Sequence, residues 1–170
     1  FGDITLGKQT VLCRDTPAFI ANRIGVMSGT ALIHLTIDYK MTIEEVDAIT
    51  GPLIGRPNTA TFKLQDLVGL DTSEKVSSFV TSAVKNDEFF EDLKTREIPA
   101  FMSYLLDNKF YGNKSGKGFY QKTKERDSKG RSIINVLNLE TLKYEKTVKP
   151  KLKIVKEGKS IQNIGKRLSF

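Results

Sequence analysis

Apolar residues recur at helical spacing through the first two thirds of the chain. The clearest pattern covers residues 17–38, where one stripe is formed by Ile20, Ile24, Met27, Ala31 and Leu35. Asp15 and Thr16 come just before Pro17, so a capping side chain precedes a proline suited to a first helical position. The pattern therefore predicts a long helix over residues 17–38.

Caps and glycines delimit the elements around this helix. The segment Thr42–Glu45 has the form of a capping box, and Gly51 and Pro52 end the helix that it begins. Comparable apolar spacing predicts four more helices, over residues 64–68, 71–85, 88–95 and 99–107. A short apolar run over residues 9–13 predicts a strand with unpaired edges.

The pattern changes after residue 108. Residues 133–137 and 142–147 flank a polar turn and predict a β-hairpin. Residues 148–170 are rich in lysine, with a weak helical pattern near residues 161–168. The sequence thus predicts an all-α core over about residues 15–108, followed by a small hairpin and a mobile basic tail.

The charge is divided unevenly along the 170 residues. Residues 1–108 carry ten basic and fifteen acidic side chains, whereas residues 109–170 carry seventeen and five. The basic tail is interpreted either as a solvated extension or as an attraction for a polyanionic ligand. It has no recognisable nucleic-acid-binding motif, and we expect no nucleic-acid partner.

Several kinds of chemistry are excluded by what the sequence lacks. His34 is the single histidine and Cys13 the single cysteine, so the usual transition-metal ligands cannot be assembled and no metal site is expected. No G-x-G-x-x-G fingerprint follows a strand, and the spacing of Gly112–Gly118 does not match a phosphate loop. One cysteine suits a reducing, cytoplasmic compartment, and no apolar run is long enough to predict a membrane span.

Asn22 is the polar residue with the clearest candidate role in binding a substrate. It follows the predicted cap by about two turns and lies three residues from Phe19. An amide there can donate a hydrogen bond to a substrate carbonyl without any change in pKa. The alternative is an asparagine at the edge of the core whose hydrogen bonds are satisfied within the protein.

Four segments together resemble the L-3-hydroxyacyl-CoA dehydrogenases. Residues 13–24, CRDTPAFIANRI, resemble that family's C-K-D-T-P-G-F-I-x-N-R segment, with Ala18 where the family usually has glycine. Residues 42–57 resemble its T-I-E-E-V-D segment and the following turn. Residues 66–72 and 114–120 resemble its D-x-V-G-L-D-T and K-T-G-x-G-F-Y motifs.

The resemblance implies a helical C-terminal domain like that of 6-phosphogluconate dehydrogenase. In the family, NAD and the catalytic His–Glu pair belong to a preceding Rossmann domain, so this chain is expected to have no cofactor-binding residue and to be inactive alone. By motif position Asn22 would bind the reacting or thioester oxygen of the acyl-CoA substrate. Phe19, Arg56 and Pro57 would line the acyl-CoA cleft.

The resemblance also implies an organisation and partners. Residues 1–14 would be the linker and the end of the Rossmann domain, 15–121 the helical domain, and 122–170 the hairpin and basic tail. The long tail resembles bacterial members in which an enoyl-CoA hydratase domain shares the polypeptide, and the phosphates of coenzyme A are one candidate ligand for its charge. A homodimer is expected. Two alternatives remain: an oligomerisation module, or the same domain of a dehydrogenase for another hydroxy acid.

Overall fold

The structure is a computed structural model that describes residues 1–169. Within them the chain forms eight α-helices: α1 Phe19–Asp38, α2 Ile43–Ile49, α3 Phe62–Val68, α4 Leu70–Ala83, α5 Glu88–Leu93, α6 Ala100–Asp107, α7 Lys153–Ser160 and α8 Ile164–Leu168. One antiparallel sheet has the order β1 Tyr120–Arg126, β2 Ser132–Leu137 and β3 Tyr144–Lys146. The predominantly helical class predicted from the sequence is confirmed. None of the helices in the described part combines the length and apolar character needed to cross a membrane.

The main core joins the helices to the sheet. Its buried members come from α2, α3, α4 and α6, from the residue before β1, and from β2: Ile43, Val46, Phe62, Leu70, Phe101, Leu105, Phe119, Val136 and Leu137. The ring of Phe119 meets that of Phe62 edge-on, with centroids 4.6 Å apart. The sheet therefore shares one hydrophobic core with the helices.

The predicted hairpin is confirmed as strands β2 and β3, but a third strand precedes it. Strand β1 pairs antiparallel with β2, with Tyr120 opposite Val136. Its sequence, YQKTKER, has no apolar alternation, which is why the sequence did not predict it. Strand β1 spans residues 120–126, across the position 121/122 at which the sequence suggested a domain boundary.

The start of α1 differs from its prediction. The helix begins at Phe19 rather than Pro17, and no side chain caps it. The backbone takes left-handed φ values at Ala18 (64°) and Phe19 (50°), so residues 16–18 form a turn that a continuous helix could not contain. This conformation gives a physical reason for glycine at the position of Ala18 in the family.

The predicted strand at residues 9–13 was wrong. These residues are exposed and belong to no strand of the sheet. The helix predicted over residues 71–85 begins one residue earlier and ends two residues earlier than expected. Helix α4 begins at Leu70, after Gly69, without a side-chain cap.

The apolar stripe predicted on α1 does not enter the core. Ile20, Ile24 and Leu35 are between 45% and 55% exposed. The inward face instead carries Val26 and Ile33, each packed against a core cluster, together with the buried Thr36. The stripe therefore leaves an apolar surface along α1.

The basic tail is folded onto the helical domain. Residues 153–160 form α7, which the sequence did not predict, and the weak pattern near residues 161–168 yields α8. Both helices contact the 3-10 turn Pro52–Ile54. The interpretation as a mobile, solvated extension is corrected, because both helices pack on that turn and Gly158 of α7 is buried against Leu53.

Candidate functional site

Asn22 lies on the inward face of α1, at a point where that face is open. Asn22, Val26, Gly29, Ile33 and Thr36 follow one another at intervals of four or three residues and share one side of the helix. Further along, this side is covered: a Cβ on Gly29 would lie 3.4 Å from Nε2 of Gln65. Asn22 itself is exposed.

The amide of Asn22 is available for a ligand. Among residues 1–169, the side-chain hydrogen bonds of α1 belong to Arg23, Ser28 and Thr36, and Asn22 makes none. Gly25, one turn further, would have no atom within 4 Å of an added Cβ. Asn22 and Gly25 therefore border open space, and the amide can donate to an oxygen that approaches there.

Phe19 lines a cavity of about 540 Å³ at the start of α1. Its side chain is 58% exposed, and Arg23 and Asp87, paired at 3.5 Å, lie on the same cavity wall. The remaining lining residues are mostly apolar: Leu12, Cys13, Arg14, Thr16, Ile20, Ile24, Met27 and Phe90. The cavity is suited to an apolar group.

Arg56 and Pro57 belong to the loop that contains the 3-10 turn, here called the Pro52–Pro57 loop. The guanidinium of Arg56 donates to the carbonyl of Ala60 at 2.9 Å and to Oγ1 of Thr61 at 3.2 Å. Arg56 is thus half-buried and braces the loop, whereas Pro57 is exposed. Any contact of Arg56 with a ligand would compete with these bonds.

The four residues predicted as site residues form two groups. Phe19 and Asn22 share the first turns of α1, and Arg56 and Pro57 share the Pro52–Pro57 loop. Within residues 1–169, the cavity beside Phe19 includes none of the other three. A second cavity of about 760 Å³, between α2, α6 and the sheet, is lined by none of the four.

A buried carboxylate that sequence reasoning did not single out joins two of the motifs. Asp66 accepts hydrogen bonds from the backbone N–H groups of Phe119 and Tyr120, each at 2.8 Å. Burial raises the pKa of Asp66 to about 6, and these two hydrogen bonds oppose the rise. Because both oxygens face backbone donors inside the protein, the residue holds structure and does not face a substrate.

A second buried carboxylate stabilises the start of α3. Asp47 accepts from the backbone N–H groups of Thr61 and Phe62, at 3.0 and 2.7 Å, and from the hydroxyl of Tyr120 at 2.8 Å. Burial and the carboxylate of Asp47 raise the pKa of that hydroxyl above its ordinary value. The sequence signal for the contact between Asp47 and Tyr120 was the pair of motifs at residues 42–57 and 114–120, which meet here.

His34 does not line the cavity beside Phe19. It is half-buried on α1, and burial, followed by the charge of Arg96, lowers its pKa. Within residues 1–169, no group of three or more His, Cys, Asp or Glu residues could hold a metal ion. No strand–turn–helix unit with a glycine fingerprint occurs in the sequence, so these residues do not fit a dinucleotide site.

Comparisons with known proteins decide the family. Residues 19–122 match the family described as 3-hydroxyacyl-CoA dehydrogenase, C-terminal domain. The chain belongs to this family. It is 38% identical, over 173 residues, to a protein of Bacillus subtilis named probable 3-hydroxyacyl-CoA dehydrogenase; the match covers 100% of this chain and 20% of that protein.

Further relatives agree on the family. A Rickettsia prowazekii protein, whose name describes a fatty acid oxidation complex trifunctional enzyme, is 32% identical over 82% of this chain and 19% of its own length. The crystal structure of FadB2 from M. tuberculosis matches with a TM-score of 0.54 and 26% identity, over 72% of this chain and 40% of that one. The chain spans about a fifth of the length of the B. subtilis relative.

Proposed function

We propose that this chain is the substrate-facing helical domain of an NAD-dependent L-3-hydroxyacyl-CoA dehydrogenase of fatty-acid β-oxidation. The whole enzyme would oxidise a 3-hydroxyacyl-CoA to the 3-ketoacyl-CoA. The family match over residues 19–122 carries the proposal. The name of the trifunctional relative supports further domains in the same polypeptide; we propose that one of them is an enoyl-CoA hydratase domain, and that the location is cytoplasmic.

The proposed division of labour follows from what the chain contains. It lacks a dinucleotide fingerprint, and its single histidine lies outside the cavity beside Phe19, so NAD, which accepts the hydride, and the general base would belong to a preceding Rossmann domain. Asn22 would donate a hydrogen bond to the substrate oxygen on the opposite wall of the cleft. A fixed donor favours the state in which that oxygen carries more negative charge.

The other predicted residues would serve binding. Phe19 would contact the apolar part of the substrate, because its ring lies half-exposed beside a largely apolar cavity. Pro57 would form the exposed wall of the cleft, and Arg56 would hold the loop in shape through Ala60 and Thr61. In this proposal the isolated chain binds substrate weakly and does not turn it over.

A second role, as a dimerisation module, is favoured by the surface of α1. Ile20, Ile24 and Met27 stand at least 42% exposed along one side of the helix, and apolar patches of this kind are typical of interfaces. Because these side chains also line the cavity beside Phe19, a second copy bound there would occupy the surface proposed for the substrate. Light scattering of the chain at several concentrations would test the second role: a dimer supports it, and a monomer throughout contradicts it.

The test of the enzymatic role is oxidation of NADH with acetoacetyl-CoA. The assay would compare the chain alone with the same chain joined to the proposed NAD-binding domain. Activity in the joined protein only is the expected result. Activity of the chain alone would contradict the division of labour, and inactivity of both would contradict the substrate class.

A further inference from the structure

We propose that α7 and α8 form a strap that fixes the Pro52–Pro57 loop, and that Arg167 is a positioning residue for acyl-CoA binding. The inference rests on the proposed function, because it assumes that this loop forms a wall of the acyl-CoA cleft. The strap comes from the tail, which lies beyond the family match at residues 19–122.

The first contact of the strap is polar. The guanidinium of Arg167 donates to the carbonyls of Pro52 and Leu53, at 3.2 and 3.1 Å, and its other nitrogens donate to the carbonyl of Ile161 at 2.9 and 2.6 Å. The carbonyl of Pro52 also accepts the N–H of Gly55 within the turn. Arg167 thus joins the first turn of the loop to the segment between α7 and α8.

The second contact is apolar and leaves little space. Gly158 is buried in α7, and a Cβ there would lie 2.8 Å from Cδ1 of Leu53, which is itself 6% exposed. A Cβ on Gly55 would lie 3.2 Å from Cδ1 of Ile164 in α8. Close packing of this kind restricts the loop, because any shift of Leu53 would meet the backbone of α7.

The loop is consequently fixed at both ends by arginines. Arg167 holds the carbonyls of Pro52 and Leu53, and Arg56 holds Ala60 and Thr61. Pro57 lies between these attachments and is exposed. Loss of Arg167 would remove the first attachment. Pro57 would then occupy several positions, and binding of the acyl-CoA substrate would weaken.

The experiment uses steady-state kinetics of the chain joined to the NAD-binding domain, with acetoacetyl-CoA and NADH. For Arg167→Ala we expect the KM for acetoacetyl-CoA to rise about tenfold, with the KM for NADH and kcat nearly unchanged, because binding would have to order a loop that is otherwise held in place. Lys166→Ala is the matched control. It removes a positive charge from the same helix, and the hydrogen bond at Lys166 uses the backbone N–H.

Each outcome has a distinct meaning. A lower melting temperature with unchanged KM for Arg167→Ala would make the strap purely structural and would overturn the proposal. An equal rise in KM for Lys166→Ala would assign the effect to charge and would also overturn it. Inactivity of the unmodified protein would instead overturn the proposed function. Hydrogen exchange at residues 53–56 should accelerate in Arg167→Ala and not in Lys166→Ala; unchanged exchange would show that Arg167 does not hold the loop.

Discussion

Oδ2 of Asp66 accepts the backbone N–H of Tyr120 at 2.8 Å, and so connects helix α3 to the first strand of the sheet. Its other oxygen accepts the N–H of Phe119, also at 2.8 Å. These donors lie more than fifty residues further along the chain. One carboxylate therefore fixes the position at which the sheet joins the helical core.

This arrangement predicts a pH dependence of stability. Burial raises the pKa of Asp66 from 3.8 to about 6, so the folded protein binds this proton more tightly than the unfolded chain. The contribution of this proton to the free energy of unfolding is complete below pH 3.8 and is lost as the pH rises through about 6. Relative to Asp66→Asn, the free energy of unfolding of the unmodified protein should fall between pH 4 and 6.5, by at most about 3 kcal/mol.

Urea denaturation at several pH values would measure this difference. Asp71→Asn is the matched control, because the ion pair with Lys114 lowers the pKa of Asp71. The contribution of the Asp71 ion pair to the free energy of unfolding is present above pH 3.8 and is lost as the pH falls. Its pH dependence therefore has the opposite sign to that of Asp66. Parallel pH profiles for the unmodified protein and Asp66→Asn would contradict the prediction.

A second prediction concerns the close approach of Gly118 to the same carboxylate. A Cβ on Gly118 would collide with Oδ1 of Asp66 and would lie 2.5 Å from Cα of Gly112. Gly118→Ala should therefore lower the free energy of unfolding by about 3 kcal/mol or more. Gly116→Ala should cost only about 1 kcal/mol, since its Cβ would meet nothing and only its φ of 74° is unfavourable. Equal losses of unfolding free energy for the two variants, measured by chemical denaturation, would show that the contact at Gly118 is not tight.

The sequence predicted the parts of the fold that depend on local signals. The capping box of Thr42 and Glu45 is present, with both of its hydrogen bonds, and α3, α5 and α6 lie within a few residues of their predicted bounds. The contacts of Asp47 and Asp66 were not predictable in the same way. A carboxylate in a helix pattern suggests a surface position, and its burial is set by donors contributed by distant segments.

The same reasoning applies to the candidate site. Position in a motif was enough to single out Asn22, and the structure leaves its amide exposed. The role of Arg56 in the cleft stays a prediction, and the structure shows its guanidinium bound to Ala60 and Thr61. The strap formed by α7 and α8 was missed because their packing on the Pro52–Pro57 loop depends on contacts more than a hundred residues apart.

A third prediction concerns the end of α6. Lys109 has a φ of 57°, its N–H bonds to the carbonyl of Leu106, and the N–H of Phe110 bonds to that of Leu105, which together form a Schellman motif. Glycine adopts this conformation without the steric cost of a Cβ. Lys109→Gly should raise the free energy of unfolding by about 1 kcal/mol. Lys109→Ala keeps the Cβ and should give no such gain, and thermal unfolding of both variants would decide between these outcomes.

The last prediction tests the proposed donor. Asn22→Ala, in the chain joined to the NAD-binding domain, should lower kcat with acetoacetyl-CoA by about 100-fold, as loss of one oxyanion donor does. The fold should be unaffected, because Asn22 is exposed and its side chain makes no hydrogen bond within residues 1–169; circular dichroism and urea denaturation would verify this.

Ser28→Ala provides the matched control for Asn22→Ala. Ser28 is exposed on the same helix, on a different side, and its hydroxyl donates only to the carbonyl of Gly25. Its replacement should leave kcat unchanged. If Asn22→Ala retained the full kcat, the hydrogen bond to the substrate oxygen would have to come from another residue. If only the KM for acetoacetyl-CoA rose, Asn22 would bind ground state and transition state equally, and would be a binding residue without a specific effect on the chemical step.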